Sequence, residues 1–155
     1  MKKSEKILFS TVLAKELVSL RKTILRPDDI DAQRCHYSGD DDCTSKHLIA
    51  FDDSKQVGMA TLIRDPKDFD QHGMVSWRIR GVGVLESHRR QGIASALVEA
   101  LLVQVDQTNE ASWLSGRVSQ RSLYERLGFV VVSDVYEIVG TGPHFDFVRR
   151  PQRAT

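Results

Sequence analysis

The 155-residue chain has two cysteines, no long apolar run and almost no excess charge of either sign. Each shortage removes a class of protein. Cys35 and Cys43 share one polar stretch without a C-x-x-C or His-pair pattern, so a zinc site of the usual spacing is not expected and the thiols read as free in a reducing compartment. No run approaches the roughly 20 apolar residues that cross a bilayer, and Met1-Lys2-Lys3 leads into charged residues rather than the apolar centre of a secretory signal. These features predict a cytoplasmic protein with no membrane partner and no metal. The formal net charge is +1, with Lys and Arg spread along the chain, which lacks the basic footprint of a nucleic-acid binder. Internal repeats and low-complexity segments are absent as well. A chain that is 41% hydrophobic and 28% charged fits one domain, residues 1–155, with a single substantial core. Monomer and homodimer are both compatible with it.

What the chain does have is a well-specified stretch at residues 89–106. Ile93, Leu97, Leu101 and Val105 recur at four-residue intervals, while Gln91, Ser95, Glu99 and Asp106 trace a narrow polar stripe, which predicts a helix buried on most sides. Arg89, Gly92 and Ala94 at its entrance follow the spacing Arg-x-x-Gly-x-Ala, directly after an apolar run. At a helix start the first amides lack intrahelical acceptors and the peptide dipoles add roughly half a positive charge. Gly92 and Ala94 hold little bulk between an anion and the backbone, and Arg89 and Arg90 add charge-assisted hydrogen bonds. The turn is therefore a candidate phosphate site; the plainer reading makes both arginines solvated turn residues.

In chain order, residues 6–9 read as a first strand, and Ser10 or Thr11 as the N-cap of a helix with Leu13, Leu17, Leu20 and Ile24 on one face, ended by Pro27. Residues 27–45 form a long polar loop. Its acidic residues, Asp28-Asp29 and Asp40-Asp41-Asp42, are either solvated or draw in a cationic substrate. Residues 47–51 and 57–63 predict a hairpin turning at residues 52–55, with Pro66 breaking the second strand. Residues 74–85 predict a third strand, with Trp77 and Ile79 on one face and Ser76, Arg78, Arg80, Val82 and Val84 on the other. Gly81 and Gly83 inside it suggest a bulge or a close approach by a ligand. They make no dinucleotide fingerprint, because a third glycine is missing at the required offset. Residues 111–118 predict a strand, Ser119 the cap of a short helix with Leu123 and Leu127 inward, and Gly128 its left-handed stop. Residues 130–139 and 144–148 close the chain as an antiparallel pair turning at Gly140, Gly142 and Pro143. Strands before, between and after helices predict an α/β three-layer domain.

Three segments together, the strand end Val82-Gly83-Val84, the turn Arg89-Arg-Gln-Gly92-Ile-Ala94 and the helix Ser-Leu-Tyr124-Glu-Arg-Leu-Gly128-Phe129, resemble the GNAT superfamily of N-acetyltransferases. The resemblance runs from about the first helix to the end of the chain. It implies a GNAT-like fold whose mixed central sheet splays into a V, with helices on both faces and acetyl-CoA in the opening. By resemblance the pyrophosphate binds the turn Arg89, Arg90, Gln91, Gly92, Ile93, Ala94, Ser95. The pantetheine arm pairs with Val82, Gly83 and Val84, and an amide near Val84 polarises the thioester carbonyl. Ser119 stands where a common asparagine is missing, either contacting CoA or capping a helix. Tyr124 is expected to contact CoA and to hydrogen-bond or protonate the leaving thiolate, unless its ring is simply core.

The implied reaction is direct attack of an amine on the thioester. A primary amine of pKa about 10.4 is less than a thousandth neutral at pH 7, so a base must take its proton. In many members a glutamate on the strand before the turn does so; this chain offers no carboxylate on that face until Glu86. His47 and His144 remain as candidates by chemistry, each with the alternative of a satisfied structural histidine. The expected activity is acetyl transfer from acetyl-CoA to a primary amine of a small molecule or peptide. The alternative is an acyl-CoA-binding module that senses without turnover.

Overall fold

The computed structural model describes residues 7–25 and 35–152. Among these residues eight strands share one sheet: β1 Ile7–Val12, β2 Lys46–Asp52, β3 Lys55–Asp68, β4 Met74–Val84, β5 Ser112–Arg117, β6 Val130–Val131, β7 Tyr136–Ile138 and β8 Gly142–Arg149. Their order is β1-β2-β3-β4-β5-β8-β6, with β7 also paired to β8. Every pairing is antiparallel except β4 with β5. Helices α1 Val18–Leu25 and α2 Ile93–Thr108 cover opposite faces, and the short α3 Arg121–Arg126 follows β5.

Strand alternation decides which helix each side chain meets. On β2, Leu48 and Ala50 join the core under α2 with Leu97, Leu101 and Val105, while Ile49 turns to Leu17 and Leu20 beside α1. Each such fully buried Leu or Ile contributes about 1.5–3 kcal/mol. Among the described residues no helix is long and apolar enough to cross a membrane.

The feature that creates the site is a fault in the sheet. β4 and β5 pair only at Trp77 with Ser112 and Arg78 with Trp113. Beyond that point β4 continues on β3 and β5 on β8, so the sheet opens into the expected V.

Several expectations need correction. Gly81, at φ 63°, does form a bulge, since β4 spends an extra residue between its pairings with Thr61 and Met59. The bulge reverses parity, so Val82 and Val84 pack with Ile79 under α2 instead of sharing the face of Arg78 and Arg80. Pro66 does not end β3, which runs on to Asp68 through an irregularity between Arg64 and Lys67; a proline is tolerated where the ladder is interrupted. Ser10 and Thr11 lie inside β1, paired with Ile49 and Leu48, and cap nothing. The turn into α1 is held instead by the Leu13 N–H donating to the Glu16 carboxylate at 2.7 Å, and Leu13 is exposed. Pro27 and its acidic neighbours Asp28 and Asp29 lie outside the described residues. The strand expected at 130–139 is two short pieces, β6 and β7. Between them the Ser133 hydroxyl accepts the Asp146 N–H at 2.8 Å. The hairpin turn at 52–55 and the Gly128 stop are as expected. After α3 the Phe129 N–H reaches Tyr124 O and the Gly128 N–H reaches Glu125 O, both at 3.1 Å, with Gly128 at φ 96°.

Candidate active site

Where β4 and β5 part they leave a cleft of about 780 Å³. Every residue from Arg78 to Val84 lines one wall, and every residue from Leu114 to Arg117 lines the other. Side chains of a strand alternate between faces, so an unbroken run of lining residues means that the strand edges, with their main-chain groups, face the gap.

One end of the cleft is the turn into α2. Gly92 is the N-cap, in the left-handed region at φ 80°, and Arg90 shares that region at φ 63°. No side chain caps the helix start, and a Cβ built on Gly92 would meet nothing within 4 Å. The turn thus presents amides and a helix dipole to open space, the arrangement that binds anions. The Arg89 Nε–H donates to Val84 O at 3.2 Å, which ties its guanidinium to the end of β4. His88 fixes the preceding turn, bonded to Asp52 at 2.8 Å and to Ser87 at 2.7 Å.

Tyr124 enters from α3 on the other wall. Its ring packs against Phe147 and Phe129, at centroid distances of 5.3 and 5.9 Å. Gly116 makes room for it, since a Cβ there would lie 2.9 Å from the ring. Among the described residues the Tyr124 hydroxyl has no hydrogen-bond partner, and the residue lines the cleft. Burial pushes its pKa up to about 12, against a small opposing effect of Arg117.

The acetyltransferase (GNAT) domain family matches residues 43–131, which contain both cleft walls and the turn. The chain belongs to the GNAT acetyltransferase family. As a GNAT protein it is an acyltransferase that uses an acyl-CoA donor. It is 25% identical over 135 residues to the uncharacterized N-acetyltransferase YitI of Bacillus subtilis (strain 168), covering 86% of this chain and 89% of that one. Its fold is similar to that of Escherichia coli ElaA, with a TM-score of 0.72 at 21% identity over 93% of this chain and 99% of that chain. It is similar also to an aminoglycoside 6'-N-acetyltransferase solved with coenzyme A, with a TM-score of 0.68 at 15% identity over 96% and 99%.

The GNAT cleft gathers most of the residues singled out in the sequence. Val82, Gly83, Val84, Arg89, Arg90, Gly92, Ile93, Ala94, Ser95, Tyr124 and His144 line it, whereas Gln91, Ser119 and His47 do not. Ser119 sits in a single turn of 3-10 helix ahead of α3, exposed, and the cap position belongs to Gln120. Gly83 owes its size to α1 as well as to the cleft, because a Cβ there would lie 2.6 Å from Ile24.

The two histidines separate cleanly. His47 is buried away from the cleft, with one ring nitrogen on Thr61 Oγ1 and the other on Asp40 O, both at 2.8 Å. A carbonyl can only accept, so Nε2 carries the proton and both nitrogens are used. His144 lines the cleft and stacks on Tyr136 at 6.2 Å. Its Nδ1 lies 2.8 Å from Gly142 O, which by the same reasoning puts the proton on Nδ1 and leaves Nε2 as a lone-pair acceptor.

The acidic loop also needs correction. Asp40 is only 3% exposed and is held in a fork by Arg21 at 2.6 and 3.1 Å. Burial pulls its pKa up, but hydrogen bonds from Arg21 and the Tyr37 amide and the Arg21 charge outweigh that and hold it below the ordinary carboxylate value. It carries no charge toward a substrate; Asp41 and Asp42 are exposed.

The charge of the cleft is not among the features expected from the sequence. Arg78, Arg80, Arg89, Arg90, Arg117 and Arg126 line it, and no described Asp or Glu does. The signal for it in the sequence is the alternation of Arg78 and Arg80 ahead of the basic turn.

Proposed function

We propose that the protein is an acetyl-CoA-dependent N-acetyltransferase that transfers the acetyl group directly to a primary amine of a small molecule or peptide. The observation that carries this reading is the open edge of β4. It starts at the turn of α2 and runs along a cleft that Tyr124 and His144 both line. An extended ligand adds to such an edge through main-chain hydrogen bonds. The pyrophosphate binds the amides of the turn with Arg89 and Arg90, and the pantetheine arm pairs along Val82, Gly83 and Val84. Gly92 leaves the phosphates room.

The amine nitrogen attacks the thioester carbonyl carbon, the C–N bond forms and the C–S bond breaks. A main-chain amide of the β4 edge polarises the carbonyl, because it is fixed and costs no reorganisation as charge develops. His144 Nε2 takes the proton that the amine must lose; it is the one ring nitrogen among the described cleft residues left as an acceptor, since both nitrogens of His88 are bonded. The leaving thiolate meets the Tyr124 hydroxyl. With a phenol pKa of about 12 and a thiol near ~8.5, full proton transfer costs on the order of 5 kcal/mol, so Tyr124 acts by hydrogen bonding and solvent delivers the proton. Cys35 and Cys43 are both free thiols, which supports the cytoplasm as the place of action.

Thiol release from acetyl-CoA across polyamines, amino acids, aminoglycosides and peptides tests this. The expected result is amine-dependent release with one N-acetylated product per thiol. CoA binding with no release for any amine would instead make the protein a sensing module.

A further inference from the structure

Arg78 and Arg80 lie on β4 beyond the segment that pairs with the pantetheine arm. At roughly 3.3 Å per residue, Arg80 is about 7 Å past Val82 and about 13 Å past Val84, on the side away from the α2 turn. On the proposed binding of the donor, that spacing sets Arg78 and Arg80 on β4 past the thioester, on the side where an acceptor would meet it.

Each is held against an aromatic ring, and Arg80 is left without a counter-charge among the described residues. The Arg80 guanidinium stacks on the Tyr37 ring at 3.8 Å. Arg21 covers the same ring at 3.9 Å and is itself forked onto Asp40, so Tyr37 is a fixed platform. Among the described residues Arg80 has no hydrogen bond and no carboxylate within ion-pair distance. Burial, with the nearby charge of Arg78, pushes its pKa down, the mark of a desolvated cation whose partner the described residues do not supply. Arg78 stacks on Trp113 at 4.4 Å and gives one terminal nitrogen to Asp65 at 3.1 Å. Its Nε is buried without a partner. A half-buried guanidinium with open donors costs stability unless something fills them, and the ligand that matches its fork is a carboxylate or a similar oxyanion.

We infer that Arg80, aided by Arg78, binds an anionic group on the acceptor, so that the amine acetylated here carries a carboxylate a few bonds from its nitrogen. This rests on the proposed transfer reaction and narrows its substrate to amino carboxylates, free amino acids foremost. The same charge disfavours polyamines. A second ammonium group in a cleft lined by arginines and no described carboxylate is repelled, whereas a carboxylate offsets the ammonium it accompanies.

The test uses matched pairs on the whole protein. Thiol release is measured with amino acids, with their carboxamides, and with ethanolamine against its phosphate ester, in the parent, Arg80→Gln and Arg80→Lys proteins. Calorimetry follows amino acid binding to the CoA-saturated forms. The expected result is at least a tenfold preference in kcat/KM for acid over amide, lost in Arg80→Gln through a raised acceptor KM, partly kept in Arg80→Lys, with CoA affinity unchanged. A preference for the phosphate ester over all amino acids keeps the anion site and overturns the carboxylate. Equal rates for acid and amide, or no amino acid binding while neutral amines turn over, overturns the inference and leaves the transferase standing. Amino acids that bind through Arg80 without thiol release leave the anion site standing and defeat the transferase.

Discussion

At the scale of single residues, the proposed chemistry rests on Tyr124 and His144, which make separable predictions. The Tyr124 ring fills a pocket between Phe147, Phe129 and Gly116, and its hydroxyl has no hydrogen-bond partner among the described residues. Tyr124→Phe keeps the ring, so melting temperature and CoA affinity are expected to stay close to those of the parent. kcat should fall ten- to a hundredfold, roughly 1.4 to 2.7 kcal/mol of transition-state stabilisation. An unchanged kcat, with chemistry shown to be rate-limiting, makes the residue core alone. For His144, base catalysis works through the free Nε2, so His144→Gln should lower kcat/KM by about 10²- to 10⁴-fold with CoA affinity by calorimetry close to that of the parent. A kcat/KM unchanged in the variant assigns the proton to another group. Arg78 and Arg80 are plain in the sequence, but their open donors are not, because these depend on how Tyr37, Trp113 and Asp65, far apart in the chain, pack around them.

At the scale of elements, the α2 turn and the β4 edge form the proposed donor site, and the turn is the most legible part of the chain. Its spacing and the four-residue apolar period specify a helix start without reference to anything distant. Gly92→Val puts a branched side chain into the open space above the amides, at a φ of 80° that such residues rarely adopt. CoA affinity by calorimetry should weaken more than tenfold, over ~1.4 kcal/mol, with some loss of stability from backbone strain. Unchanged affinity in the folded variant removes the pyrophosphate from this turn. β4 was read less well, for a local reason with a long reach. The glycines announced a bulge, yet an alternation count has no way to include the inserted residue, so every side chain after Gly81 was assigned to the wrong face. The same holds for Pro66, which reads as a breaker until its strand is seen to be irregular there. Ser119 and Ser10 failed as caps because a polar residue before an apolar run signals a helix start only where the strand has already ended.

At the scale of the whole molecule, two ion-paired networks hold the arms that define the cleft. Arg149 on β8 forks onto Asp106 of α2 at 2.7 and 3.1 Å and donates to Leu127 O at the end of α3 at 2.9 Å, so one side chain binds the helices of both walls. Arg21 on α1 joins Asp40, Thr61 and the Cys35 carbonyl, fixing the platform under Arg80. A loop aspartate among exposed neighbours gives no sign in sequence that its partner lies 19 residues earlier on a helix. Asp40→Asn leaves Arg21 buried without its counter-charge and should cost about 3–5 kcal/mol by chemical denaturation. The Asp40 pKa is lower folded than its ordinary value of 3.8. Its contribution is therefore full above that value and is lost as pH falls through the folded pKa, so the gap between parent and Asp40→Asn should narrow in acid. A gap independent of pH below that point removes the pair from the stability of the fold.

The splay between β4 and β5 is the claim on which donor site, catalysis and acceptor specificity all depend. It is tested most directly by following backbone amide resonances as CoA is titrated into the protein. The largest shifts are expected in residues 82–84 and 91–95, with the amides of β1, on the far edge of the sheet, unmoved. Saturable CoA binding that leaves both of those segments unshifted and perturbs another surface would contradict the account.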